Sequence, residues 1–312
     1  MTLILGRLAR SVLTVVGALT LVFLSLRLTP GDPAMIMLGD YATEELAATL
    51  RQQLGLDQPL PVQYLVFLKN TLTGDFGMSL AKKQDVSEII AGAWPYTASL
   101  ALAAMVVTCL IGIPLGTLAA LKRGTAADFA AMVISLLGVS TPGFLLALLL
   151  IYVFAYHLGY FPVQGAGEGR GLISMLHYLV LPAVALGFQS AALVARTTRS
   201  SLLAVLGEDY MRTARAKGLP EPNVLREHAF RNALVPILAV LGLFFGQLLG
   251  GAAVAEIVFA RPGLGKLLVD AILFRDYPLS QALICVFLLG VVAVNLVTDT
   301  LYGLADPRIR RA

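Results

Sequence analysis

The sequence is short of charge, histidine, cysteine and tryptophan. Of its 312 residues, 13% are Asp, Glu, Lys or Arg, about half the share of an average soluble chain. With 58% hydrophobic residues and a mean hydropathy of +0.81, this excludes an ordinary soluble domain and points to a membrane protein. The two cysteines, Cys109 and Cys285, sit inside apolar runs, which excludes a disulfide framework and a thiolate zinc site. The three histidines, His157, His177 and His228, are scattered and read as interfacial or structural side chains, so no metal site is expected. There is no GxxxxGK followed by Ser or Thr. The nearest run, Ala260 to Leu267, lacks the first glycine and the final hydroxyl, so the chain has no such device for ATP. HExxH and GxSxG are absent as well. No catalytic residue is assigned, and the chain is not expected to be an enzyme. The net charge of +4 is small, and the basic residues are spread among the apolar runs, which argues against nucleic acid as a partner.

What is present is a series of apolar runs. Leu8 to Leu28 reads as an uncleaved first span, with Arg27 near its outer end where it can snorkel. A polar segment follows, with turns at TPGDP and LDQPLP. Its short helices are Thr43 to Leu54, with Thr43 as N-cap and Gly55 after its end, then Gln63 to Leu72 and Val86 to Ala91. The further spans are Thr97 to Leu121, Phe129 to Tyr156, His177 to Ala195, Leu234 to Ala255 and Ala282 to Leu304. The spacing therefore predicts an all-α integral membrane protein with six transmembrane helices and a helical external segment. The divisions are 1–28, 29–95 and a core over 96–312 containing a polar loop at 196–233. Glu256 to Pro278 reads as an outer loop. Fourteen of the 23 Lys and Arg residues fall on one side of this scheme, which by the positive-inside bias makes both termini cytoplasmic.

One stretch stands apart. Glu208 to Pro236 is the only long charge-dense run between two spans on the basic side. Asp209 to Lys217 reads as a helix with Tyr210, Met211 and Ala214 on or near one face. Gly218 stops it as a left-handed cap would. Pro220 and Pro222 break the chain again, and Asn223 to Ala233 restarts as a second short helix. The same residues also suit a plain solvated basic loop.

Within the spans, the weak candidates for a translocation path are Thr141, Pro142, Gly143, Gln189 and Gln247, because broken or polar positions at membrane depth often line a cavity. Gly242, Gly246 and Gly250 recur on one helical face. Such a stripe permits close approach of another helix, from this chain or from a second subunit. Asp299 lies near the end of the sixth span and reads as an interfacial carboxylate. It has no second carboxylate near it in sequence for a membrane hydrolase.

The Glu208 to Pro236 run resembles the loop of binding-protein-dependent ABC importer permeases that is built on Glu-Ala-Ala, three residues, Gly. Ala214 and Gly218 match that pattern. Arg212 and Thr213 depart from it toward RTARAKG, usual in the peptide and nickel branch. GDPA, LGLDQPLPVQY, TGDFGMSL, GVSTPGF, EIVFxxPGLGxLLVDAI, RDYP and DPRIR extend the resemblance over nearly the whole chain. They are similar to the first, B-type permease subunit of the dipeptide, oligopeptide and nickel group. Ala260 and Arg261 depart from the pattern, since an aromatic is common there.

The resemblance implies a type I importer permease fold in an inner membrane. It also implies a loop that seats on a separate ATPase through Arg212, Thr213, Ala214, Arg215, Lys217, Gly218, Leu219, Pro220 and Asn223. Its implied partners are a second homologous permease, two ATPases that hold ATP and magnesium, and an external substrate-binding protein. No cofactor is expected on this chain. The cargo implied is a dipeptide, oligopeptide, glutathione, nickel or a metal chelate. An ion-coupled secondary transporter is the alternative. It would need ionisable groups near the bilayer midplane, where these spans are almost free of charge.

Overall fold

A computed structural model describes residues 2–28, 32–39, 42–169 and 171–305, with the backbone alone at 2–11, 26, 299 and 301–305. The side chain of Asp299 and the arginines after 305 fall outside the described part. The chain divides into two compact units, each built from two separate stretches of sequence. The first takes Met1–Pro95 with Pro262–Val292, and the second takes Tyr96–Arg261 with Ala293–Ala312.

The first unit contains α1 (Thr2–Leu28), α2 (Pro33–Leu38), α3 (Glu44–Gln53) and α4 (Leu60–Thr73). It also holds the start of α5 (Val86–Leu121), then α12 (Leu264–Leu273) and the start of α13 (Tyr277–Ala305). Its polar residues set the helix ends. Asp32 caps α2 through the Ala34 amide, and Pro33 follows at the first helical position, where its missing N–H costs nothing. Thr43 caps α3 through the Leu46 amide. Gly74 ends α4 in the left-handed conformation, which a residue without Cβ adopts freely.

Arg51 of α3 donates to Asp32 through Nε at 2.9 Å and Nη2 at 2.5 Å, closing α2 on α3 over Ala34, Ala47 and Leu50. α4 lies on α1 through Phe23, Tyr64 and Phe67. Asp276, buried before α13, accepts from Ser79 Oγ at 2.5 Å and from the Ala81 amide at 3.1 Å. Two motif stretches, TGDFGMSL and RDYP, thus meet across 197 positions.

The second unit is organised on α8 (Leu172–Leu206). The rest of α5 crosses it through small residues. A Cβ added at Gly116 would stand 2.3 Å from the Ala195 carbonyl oxygen, and one at Gly187 would stand 2.5 Å from that of Ala104. Thr108 Oγ1 donates to the Gly187 carbonyl at 3.0 Å. Gly and Ala at such crossings let backbones approach, which is how apolar helices gain packing where lipid offers no hydrophobic drive. α6 (Ala126–Ser140) packs on α8 with Gly138 against Ala192. α7 (Gly143–Leu150) continues as a π-helical turn, Ile151–His157. Then come α9 (Asp209–Ala216), α10 (Glu221–Asn223), a second π-helical turn (Val224–Phe230) and α11 (Arg231–Val258).

Among the described residues, four helices are long and apolar enough to cross a membrane, or five if the bent pair α6 and α7 counts as one. In α1, the apolar run Val12–Ser25 falls in the fully described part. The predicted third span is bent by 106° at Thr141–Pro142. Proline there forces the preceding residue to extended backbone, and Thr141 has φ −85° and ψ 121°.

Three expectations from the sequence change. The short helix Val86 to Ala91 is the first part of α5, which runs on through Pro95. The second short helix, Asn223 to Ala233, is not separate: residues from Glu221 to Val258 form one continuous run. Pro222 sits in its first turn, where proline is tolerated, and no breaker follows it before the span. The outer loop is largely helical too, since α11 runs to Val258 and α12 fills Leu264–Leu273.

Candidate functional site

The polar run after α8 folds back on its own unit. Met211 and Ala214 of α9 are buried, with Met211 fully so. They pack with Ala120, Leu202, Val224, Ala229, Ala233 and Ile237, that is, on the ends of α5 and α8 and the start of α11. Burying a methionine contributes about 1.5–3 kcal/mol, enough to hold an eight-residue helix that would not persist alone. Arg212, Thr213, Arg215, Lys217, Gly218, Leu219, Pro220 and Asn223 are all exposed. Of the residues the sequence assigned to this loop, Ala214 alone faces inward. Met211 is the packing residue that assignment missed, although its i, i+3 relation to Ala214 was visible.

Gly218 has φ 76°. Its amide donates to the Arg215 carbonyl at 2.9 Å, and the Lys217 amide donates to that of Thr213 at 3.1 Å. Nothing lies within 4 Å of the place its Cβ would take, so the glycine serves the backbone conformation and not a close contact. Across the corner, Arg215 Nη2 donates to Glu221 Oε1 at 2.8 Å. Asp209 and Arg212 pair loosely at 3.5 Å. Together the helix, the left-handed corner and the ion pair form a polar ridge of fixed shape.

A second polar contact in the same unit joins α6 to α8. Arg199 of α8 donates to Asp128 of α6 through Nε at 2.7 Å and Nη2 at 2.8 Å, and the Gly124 amide donates to the same carboxylate at 3.0 Å. A two-point guanidinium–carboxylate contact fixes orientation as well as distance. Sequence reasoning passed over Asp128 and Arg199 because they lie 71 positions apart.

Among the path candidates, Thr141, Pro142 and Gly143 come together at the break between α6 and α7. Thr141 Oγ1 returns to the Leu137 carbonyl at 2.7 Å. Gln189 on α8 and Gln247 on α11 are exposed on this chain. The glycine stripe divides. Gly242 faces Thr298, whose Cγ2 would lie 1.8 Å from a Cβ there, Gly246 is buried, and Gly250 faces open space.

Two further charges are buried in the second unit. Glu256 accepts from Thr97 Oγ1 at 2.6 Å. Arg261 is 3% exposed, and its Nε and Nη1 make no hydrogen bond among the described residues. His157 contacts the Tyr152 hydroxyl and His177 the Tyr160 carbonyl oxygen.

Two family models match the chain, one after the other in sequence. Residues 112–311 match the family Binding-protein-dependent transport system inner membrane component. Residues 1–101 match the family Binding-prot-dependent transport system membrane comp, N-term. The chain is 44% identical over 307 residues to the glutathione transport system permease protein GsiC of Salmonella typhimurium, covering 98% of each chain. It is 44% identical over 290 residues to GsiC of Escherichia coli K12, covering 93% of this chain and 92% of that one. Its fold resembles that of a chain of the MetNI methionine ABC transporter in an inward-facing conformation, with a TM-score of 0.58 at 18% identity over 70% of this chain and 96% of that one. An amino acid ABC transporter chain gives a TM-score of 0.52 at 18% identity, covering 71% and 94%. Nothing in these likenesses supports an ion-coupled secondary transporter.

Proposed function

Because the chain belongs to the binding-protein-dependent transport system inner membrane component family, as an ABC importer permease of the peptide and nickel group, we propose that it forms half of a translocation path for a small peptide. It is a multi-pass inner membrane protein and a permease subunit, not itself an enzyme. The relatives named for glutathione make glutathione the first cargo to test. Dipeptides, oligopeptides, nickel and metal chelates come after it.

The observation that carries the mechanism is the exposed ridge from Asp209 to Asn223, pinned at its back by Met211 and Ala214. In this reading the ridge seats in an ATPase subunit. A second homologous permease completes the path, and two ATPases hold ATP and magnesium. A ligand shifts a conformational equilibrium only by its differential affinity for the two states. ATP bound between the ATPases is that ligand, and the ridge transmits their closure to α8 and α11, the helices it joins. An external binding protein delivers cargo to the opposite side, and both termini are cytoplasmic.

The test is uptake and ATP hydrolysis measured in one reconstituted complex with its binding protein. Glutathione uptake that needs ATP and both permeases supports the reading. Transport by this chain alone in proteoliposomes would overturn it. Orientation is tested in the same strain. Cysteines at Asp57 and Gln164, both exposed, should label from outside intact cells, and one at Arg212 should not.

A further inference from the structure

The first unit contains a cavity of about 190 Å³, lined among others by Arg27, Gln58, Asn70, Asp75, Tyr277 and Gln281. Arg27 is near the end of the first apolar helix, where a guanidinium would ordinarily extend into water or headgroups. Here three elements hold it. Its Nε donates to Gln63 Oε1 at 2.7 Å, its Nη1 donates to the Tyr277 hydroxyl, and its guanidinium carbon lies 5.3 Å and 5.5 Å from the ring centres of Phe23 and Tyr277. Gln63 is itself fixed by donating to the Leu56 and Gln58 carbonyls at 3.1 and 2.7 Å.

Every one of these partners is uncharged. Among the described residues no carboxylate pairs with Arg27, and its Nη2 donates to none of them. Neutral partners orient the charge without neutralising it. A guanidinium so held has already lost its rotamer freedom and keeps a planar N–H edge suited to a carboxylate.

The same cavity carries one charge of opposite sign. Asp75 accepts from the Gly77 amide at 3.3 Å and pairs with no base among the described residues. Gln58, Asn70 and Gln281 supply amides between. The volume falls below the roughly 300–1,000 Å³ of pockets for drug-sized ligands, so the occupant is small. We propose that this cavity is a binding site for a small zwitterion, an amino acid or short peptide, with its carboxylate on Arg27 and its ammonium group toward Asp75. The proposal deepens the import reading and rests on it for the source of the zwitterion, the cargo itself.

The experiment is calorimetric titration of the assembled transporter in lipid nanodiscs without ATP. The probes are alanyl-alanine, N-acetyl-alanyl-alanine and alanyl-alanine amide. The free dipeptide should bind about tenfold or more tighter than either capped form, a loss equivalent to one charge-assisted contact. Arg27→Gln should abolish the difference between free dipeptide and amide, and Arg27→Lys should restore part of it. Asp75→Asn should abolish the difference between free and acetylated dipeptide. Basal ATP hydrolysis checks assembly of each variant. If Arg27→Gln does not assemble, the three probes on wild type and on Asp75→Asn decide the matter. Equal binding of all three probes, no binding at millimolar concentration, or a pattern unchanged by these variants would sink the site. ATP-driven uptake surviving in those variants would leave the import reading standing without it.

Discussion

Arg215 and Glu221 meet across the Gly218 corner, Nη2 to Oε1 at 2.8 Å. The contact joins the last turn of α9 to the first turn of α10, and α10 runs on without interruption into α11. A push on the ridge is therefore a push on the end of a long helix. The separate second helix expected from the sequence would have placed a joint there. Its absence makes the corner itself the element that sets the angle between ridge and span.

The first prediction concerns the backbone at Gly218. A side chain there meets open space, so the cost is conformational, about 1–2 kcal/mol for an ordinary L residue in the left-handed region. Asn tolerates that region, Ala less well, and a β-branched residue least. Uptake should fall in the order Gly218→Asn, Gly218→Ala, Gly218→Val, with Gly218→Val inserted in the membrane but hydrolysing ATP without transport. Uptake and cargo-stimulated ATP hydrolysis in one reconstituted complex check the order. Wild-type values for Gly218→Val would remove the corner from the mechanism.

The second concerns the ion pair. Both side chains are more than a third exposed, and exposed pairs contribute only about 0.2–1 kcal/mol. Arg215→Glu should therefore leave the chain folded while it weakens the ridge and, with it, the proposed ATPase contact. The defect should vary with salt, because exposed charges are screened beyond about 8–10 Å. The double variant Arg215→Glu with Glu221→Arg should recover the corner. ATPase retention on the purified permease, measured from low to high salt, reads both effects. An unrecovered double variant would assign Arg215 to the partner contact instead of the corner.

The third separates the two kinds of glycine contact. Gly116→Ala places a methyl group 2.3 Å from the Ala195 carbonyl oxygen, and overpacking of this sort costs about 1–3 kcal/mol. It should lower thermal stability in detergent and reduce expression. Gly250→Ala meets nothing within 4 Å among the described residues and should leave the isolated subunit unchanged. If Gly250 lies at the contact with a second permease, the same variant should reduce co-purification of that subunit. Equal stability of Gly116→Ala and wild type would contradict the α5–α8 crossing.

The fourth is a pH effect in the first unit. Arg51 beside Asp32 holds that carboxyl below its ordinary value of 3.8, with the Ala34 amide adding to it and partial burial opposing. A depressed carboxylate pKa contributes stability that is present above the unfolded value and is lost as pH falls through the folded one. The α2–α3 pair should therefore loosen on acidification below about pH 4. Hydrogen exchange at Ala47 and Leu50, both buried, reads the opening. Asp32→Asn should exchange faster at neutral pH and lose the acid dependence. Identical profiles for the two proteins would rule out the carboxylate as the cause.

The sequence determined what depends on neighbours within a turn or two of helix. Proline and glycine fixed the break at Thr141–Pro142 and the left-handed corner at Gly218. Thr43 capped its helix, and Met211 and Ala214 shared a face. These outcomes follow from backbone sterics and from hydrogen bonds between positions three or four apart, so composition and order suffice to state them. Tertiary structure decided the partners.

Ser79 finds Asp276, Asp128 finds Arg199, and Arg27 is held by Gln63 and Tyr277, over separations of 197, 71, 36 and 250 positions. Gly242 lies against Thr298 while Gly250 on the same stripe meets nothing. A glycine stripe or a lone arginine permits many contacts of similar local energy. Which one forms depends on the faces that the packed helices bring together, and that is a property of the whole fold.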